Sequence, residues 1–138
     1  LCGGSIDRAI IIPGARMSHR IIPAQVISAY VNELAQRNIQ SEIVVLEGEA
    51  IDLPTNVNLR RIPREFSMLV ELISNSDLVI SADSLPSHLS EFLHVPIFVS
   101  TPAPKPYWLP KSSYKTSGWA TFSDIQPFHN WLEENCHL

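Results

Sequence analysis

The stretch Ser81-Ala82-Asp83-Ser84-Leu85-Pro86-Ser87-His88-Leu89 gathers an acid, several hydroxyls, a proline and a histidine between an apolar run and an amphipathic segment. Such a strand-to-helix turn has two readings. As plain structure, Asp83 caps the helix by accepting a hydrogen bond from its first turn. As a site, its carboxylate faces the hydroxyls of a ligand. Ser84 and Leu85 then present main-chain N–H groups at a helix start, where unpaired amides and the macrodipole favour phosphate. His88, one turn further in, is either a buried structural histidine or a donor to an anion.

A second loop, Pro13-Gly14-Ala15-Arg16-Met17-Ser18-His19-Arg20, also leaves an apolar run and leads into a helical pattern. Arg16 and Arg20 near a helix start oppose the macrodipole, which prefers acids there. An anion arriving between the cations and the amides would explain them; two solvated surface arginines are the simpler alternative. Glu47 and Glu49 follow another apolar run, at the place where an acid commonly binds ribose hydroxyls. A solvated turn accounts for them equally well.

Other chemistries lack their residues. The chain has no GxGxxG and no GxxxxGK[ST], so the usual dinucleotide and P-loop cradles are missing. There is no GxSxG nucleophile elbow and no Asp-x-Asp pair to hold a metal diphosphate. His19, His88, His94, His129 and His137 are dispersed, without zinc spacing. No metal ligand set is expected, and no cofactor.

The elements that must position these loops follow from periodicity. Ala9–Ile12, Ile43–Leu46, Leu78–Ile80 and Ile97–Val99 are short, uniformly apolar and rich in branched residues, the pattern of buried strands. Val57 and Leu59 suggest a brief further strand. Between them run helical spacings: Val26, Ile27, Tyr30, Val31 and Leu34 behind Pro23, with Asn38 as a stop; Met68, Leu69, Leu72 and Ile73 behind Ser67 as a cap; and Leu89, Phe92 and Leu93. Ser123 and Gln126 have capping-box spacing ahead of Phe128, Trp131 and Leu132. Strand and helix alternate, which predicts an α/β domain: a doubly wound, Rossmann-like parallel sheet with helices on both faces. Residues 1–138 form one domain in this reading, with a leader or linker over 1–7, an irregular loop over 101–122 and a C-terminal helix over 123–135. In that loop Tyr107, Trp108 and Trp119 are candidates for a contact surface.

Composition narrows the partners. Of 138 residues, 45% are hydrophobic and 17% charged, a globular balance. The net charge is −4 and Lys and Arg do not cluster, which argues against a general nucleic-acid binder. No apolar run approaches the roughly 20 residues that span a bilayer, and no secretory signal pattern is visible. Cys2 and Cys136 read as plain thiols, with a bridge between neighbouring termini as the alternative.

Asp83-Ser84-Leu85-Pro86-Ser87-His88, followed by Val95-Pro96-Ile97-Phe98-Val99, resembles the donor-binding half of the heptosyltransferase-like glycosyltransferases (family 9, GT-B fold). There a strand ends in Asp-Ser/Thr-Gly-Pro-Met-His, and a Val-Pro and an apolar strand come after the helix. The earlier Pro13-Gly14-Ala15-Arg16 and the Arg20 before Pro23 fall in the family's order, so the likeness covers most of residues 8–104.

The resemblance implies one half of a GT-B fold that binds a nucleotide diphosphate sugar, such as ADP-heptose, as substrate. By it, Asp83 binds sugar hydroxyls, Ser84 and Leu85 offer amides to the diphosphate, and Arg20 stands for the family's phosphate-contacting lysine. Glu49 resembles the acid near the ribose, and Phe66 stands where an apolar residue covers the base. It further implies inverting, metal-independent transfer in lipopolysaccharide or other surface-glycan synthesis. An N-terminal acceptor domain would supply the catalytic base and touch a membrane glycolipid, on the cytoplasmic side at the inner face of the inner membrane. Nothing in these residues corresponds to that domain. Leu85 stands in the motif's glycine position, so either the backbone stays at φ < 0 or the diphosphate approaches less closely. A non-catalytic interaction or regulatory domain that keeps the fold is the alternative.

Overall fold

A computed structural model describes residues 5–102, 109–116 and 118–135. Six strands, β1 (Arg8–Ile12), β2 (Gln40–Leu46), β3 (Leu59–Ile62), β4 (Leu78–Ala82), β5 (Ile97–Thr101) and β6 (Trp119–Thr121), form one sheet. They alternate with α1 (Ala24–Gln36), α2 (Phe66–Ser74), α3 (Leu85–Phe92), α4 (Lys111–Lys115) and α5 (Gln126–Asn135). All neighbours are parallel, in the order β3-β2-β1-β4-β5-β6. This is the doubly wound order whose direction of winding reverses at β1/β4.

The uniform apolarity of the strands has its reason here: both faces are covered. Ala9, Ile11, Ile43, Val45, Leu78, Ile80 and Phe98 pack under α1 and α5, through Val26, Ile27, Tyr30, Phe128, Trp131 and Leu132. The alternate residues Ile10, Ile12, Val44, Val79, Ile97 and Val99 pack under α2 and α3, through Leu69, Leu72, Ile73 and Leu89. Tyr30, Phe98 and Phe128 meet at tilted or edge angles, with ring centroids 4.9–6.1 Å apart. Burial raises the Tyr30 phenol above its ordinary range, opposed in part by the neighbouring Ser100 hydroxyl. Neither hydroxyl completes a well-formed hydrogen bond.

The ends of the elements are fixed locally. Asn38, at φ 59°, stops α1 as its sequence suggests. Its N–H meets the Ala35 carbonyl while that of Ile39 reaches Leu34, a Schellman pair. At the other end of the sheet from the loops of interest, the Asp77 carboxylate accepts the N–H groups of Asp7 and Arg8, at 2.9 and 3.0 Å, and fastens β1 beside β4.

Several expectations are corrected. Of the expected leader or linker 1–7, residues 6 and 7 pack on the domain: Ile6 is buried and Asp7 is tied to Asp77. The described part of the expected irregular loop 101–122 holds α4 and β6. β6 escapes notice in the sequence because an edge strand of three residues carries too little pattern. The third strand begins at Leu59 and leaves Val57 outside; its Arg60 and Arg61 are exposed, suiting an edge strand. Glu65, not Ser67, is the N-cap of α2, and Pro23 is the N-cap of α1. Asp124 takes the part expected of Ser123, accepting the Gln126 N–H at 2.9 Å. Trp119 packs against the second core face instead of forming a contact surface. Cys2, Cys136, Tyr107 and Trp108 lie outside the described residues.

Among the described residues no helix is long and apolar enough to cross a membrane.

Candidate functional site

At the carboxyl ends of β1, β2, β3 and β4 the loops part around a cleft of about 850 Å³. The position is dictated by topology: chains leaving β1 and β4 at the reversal point diverge to opposite faces and leave a crevice. The size suits a ligand of nucleotide class. Its lining includes Gly14, Arg16, Arg20, Glu49, Arg64, Asp83, Ser84 and Leu85, drawn from all four strand ends.

The β1 loop turns back on itself. The Ile22 N–H donates to the Pro13 carbonyl at 3.1 Å, and Ser18–Arg20 form a single 3₁₀ turn ahead of α1. That turn brings Arg20 to the cleft half-buried, with Arg16 exposed on the same side. Neither arginine has a carboxylate partner within ion-pair distance among the described residues, whereas Arg8, Arg37 and Arg60 all do. Two cations left without protein anions beside a cavity are poised for an anionic ligand.

From β4, the backbone passes through half-buried Asp83 into α3. The structure corrects the expected cap: Ser84 is the N-cap residue, and neither side chain bonds the first turn. Ser84 Oγ instead donates to the carbonyls of Gly14 and Ala82, at 3.3 Å each, and links the β4 turn to the β1 turn. The Asp83 carboxylate is therefore spared from capping and borders the cleft. The first turn of a helix leaves its N–H groups without partners. Pro86 has none to offer and the Ser87 N–H meets the Ser84 carbonyl at 3.1 Å, so the amides of Ser84 and Leu85 are the donors that remain. Leu85 lies in the helix and not in the positive-φ region, is 58% exposed and lines the cleft.

From β2, Glu49 turns inward. Its Oε1 accepts the Leu46 N–H at 2.7 Å, and its carboxylate lies against Gly14, where an added Cβ would overlap it. Glu49 thus spans the ends of β2 and β1, and Gly14 makes room for it. One oxygen is committed to the backbone, and the other lies against Gly14.

Two expected residues do not join the site. Phe66 opens α2 with 62% of its surface exposed and is absent from the cleft lining. His88 is exposed, because Ser87, Leu89 and Ser90 take the buried face of α3. It is neither a core histidine nor an anion donor in the cleft. Arg64, which the sequence reading passed over, takes a place in the lining, with its Nε donating to the Glu47 carbonyl at 3.0 Å. Its position directly after a strand was the available signal, hidden because β3 itself was misplaced. Among the described residues, no three His, Cys, Asp or Glu side chains gather to hold a metal ion.

No protein-family model and no curated protein sequence matches the chain. Solved structures share its fold. The E. coli heptosyltransferase WaaC with ADP-2-deoxy-2-fluoro heptose superposes on 96% of the chain, with TM-score 0.67 and 14% identity. The E. coli ADP-heptose lps heptosyltransferase II matches over 95%, with TM-score 0.65 and 18% identity. The glycotransferase of kitacinnamycin matches over 94%, with TM-score 0.57 and 15% identity. The chain spans 44%, 46% and 34% of those proteins, less than half of each. What the chain shares with them is the Rossmann-like α/β fold.

Proposed function

We propose that this chain is the donor-binding domain of an inverting, metal-independent glycosyltransferase that uses a nucleotide diphosphate sugar. The observation that carries the proposal is the convergence, at one sheet reversal point, of unpaired Arg16 and Arg20, the α3 amides, Asp83 and Glu49. Structures of this fold are described with ADP and an ADP-sugar, which supports a nucleotide sugar as ligand.

In this reading the diphosphate lies across the Ser84 and Leu85 amides between Arg16 and Arg20, Glu49 holds ribose hydroxyls, and Asp83 orients the sugar. An acceptor hydroxyl attacks the anomeric carbon from the face opposite the diphosphate. The anomeric C–O bond breaks as the new one forms, the bonding pair leaves with the nucleoside diphosphate, and the acceptor proton passes to a base outside these residues. Two guanidiniums and two amides meet the developing charge of the leaving group, the place where fixed positive groups lower a barrier most. The acceptor half and the base belong to another domain, so the chain alone binds donor and turns over little. Lipopolysaccharide or another surface glycan is the expected product class, made at the cytoplasmic face of the membrane.

Titration of ADP, UDP, GDP and their sugar conjugates, followed by amide chemical shifts, tests the reading. Perturbations at Gly14, Ser84 and Leu85 are expected, and Arg20→Ala should weaken binding about tenfold, the scale of one charge-assisted contact. Absence of any shift at millimolar nucleotide would refute it.

A second reading, a non-catalytic interaction domain, is favoured by one observation: an exposed leucine, Leu85, lines the cleft at the start of α3. Concentration-dependent sedimentation with no nucleotide response would select it.

A further inference from the structure

Arg64 has no role in the scheme above, yet it borders the same cleft and is held more firmly than an exposed arginine ordinarily is. Its Nε donates at 3.0 Å to the Glu47 carbonyl. That carbonyl is itself fixed, because the Glu47 N–H continues the β2–β3 ladder to Ile62 at 2.8 Å. The guanidinium is thus anchored at one of its five N–H groups, and no carboxylate lies within ion-pair distance of it among the described residues. The Nη groups remain to donate, and a guanidinium has nothing with which to accept.

Position assigns these donors a target. The α3 amides follow β4, Glu49 follows β2 and Arg64 follows β3, so they succeed one another outward across the sheet. Three strand spacings separate the first from the last, about 14 Å. A nucleoside diphosphate laid along that line puts phosphate at the amides, ribose at Glu49 and base at Arg64. The walls at that end are apolar, with Ala50, Ile51 and Leu69. Among the described residues that line that end, Glu49 alone offers a side-chain acceptor, and it already serves the Leu46 N–H.

We infer, building on the donor-binding reading, that Arg64 is a specificity-determining residue that selects a nucleobase presenting carbonyl oxygens, as uracil and guanine do, over adenine. Uracil O2 and O4, or guanine O6 beside N7, accept from the Nη groups. Adenine sets an amino donor where those oxygens would be, and a donor facing a donor forfeits the hydrogen bond.

Calorimetric titration of the chain with UDP, GDP and ADP tests this, using wild type, Arg64→Ala and Arg64→Lys. The wild type should bind UDP or GDP about tenfold more tightly than ADP. Arg64→Ala should abolish that preference by weakening the favoured nucleotide and leaving ADP within about twofold. Arg64→Lys keeps the charge but not the fork, so it should lose the preference too. Equal or tighter binding of ADP by the wild type overturns the inference and leaves the donor-binding reading standing. So does an equal loss for all three nucleotides in Arg64→Ala, which would make Arg64 a phosphate contact. Failure of every nucleotide to bind removes both readings together.

Discussion

Replacing Gly14 with alanine sets two effects of opposite sign against each other. Alanine restricts the unfolded chain, which stabilises a protein by about 0.4–1 kcal/mol when the native backbone tolerates it. Gly14 has no positive φ, so its backbone is compatible with alanine. The new methyl, however, meets the Glu49 carboxylate, whose Cδ and Oε1 stand 2.9 Å from the ideal Cβ. Glu49 must swing away and release the Leu46 N–H. A hydrogen bond to a charged group contributes about 1.5–3 kcal/mol, and the half-buried setting of Glu49 puts it near the lower end. The net effect of Gly14→Ala should be a loss of about 1 kcal/mol, or about 0.5 M in the urea midpoint for a domain of this size. In a Glu49→Ala background the obstruction is gone, and the same substitution should instead stabilise by about 0.5 kcal/mol. The coupling of about 1.5 kcal/mol is read from urea denaturation of the four proteins in a double-mutant cycle. If Gly14→Ala changes stability equally in both backgrounds, the Glu49 strap between β1 and β2 is wrong.

Two further outcomes follow from the same geometry. Leu85→Gly removes an exposed side chain at the start of α3 and should raise nucleoside diphosphate affinity about threefold, at a cost in stability of about 0.5–1 kcal/mol for glycine in a helix; calorimetry and denaturation measure the two separately. Tyr30 keeps its proton in the folded state beyond the pH at which the unfolded phenol ionises. Its contribution is therefore fully present below about pH 10 and is lost as pH rises toward the elevated folded value. Tyr30→Phe should flatten that alkaline decline in the urea midpoint, and an unchanged slope would show that the phenol is not the group responsible.

The four central strands were legible because burial on two faces leaves no polar alternation to confuse them. β3 and β6 lie at the edges, where exposure admits Arg60 and Arg61 on one side and shortens the strand to three residues on the other. Arg16, Arg20, Glu49, Asp83, Ser84 and Leu85 reached the cleft because a residue just beyond a parallel strand must lie at that end of the sheet, whatever its rotamer. Phe66 and His88 stand outside the cleft lining because each belongs to a helix, and helix phase is set by what packs beneath: Leu69 under α2, and Ser87, Leu89 and Ser90 under α3. Asp83 lines the cleft and does not make the capping bond that its plain structural reading offered. The Ser84 hydroxyl bridges to a carbonyl 70 residues away, a contact no local pattern announces.

Because the cleft draws on four strand ends scattered between Ile12 and Pro86, no short piece of the chain contains it. It comes into being only with the assembled sheet. Any molecule that fills it therefore binds the native state and not the unfolded ensemble, and raises global stability by an amount that grows with its free concentration relative to Kd. At a free concentration of one hundred times Kd that addition is about 2.7 kcal/mol, enough to move a melting curve visibly. Occupancy can thus be read from resistance to heat or protease, before any acceptor or reaction is known.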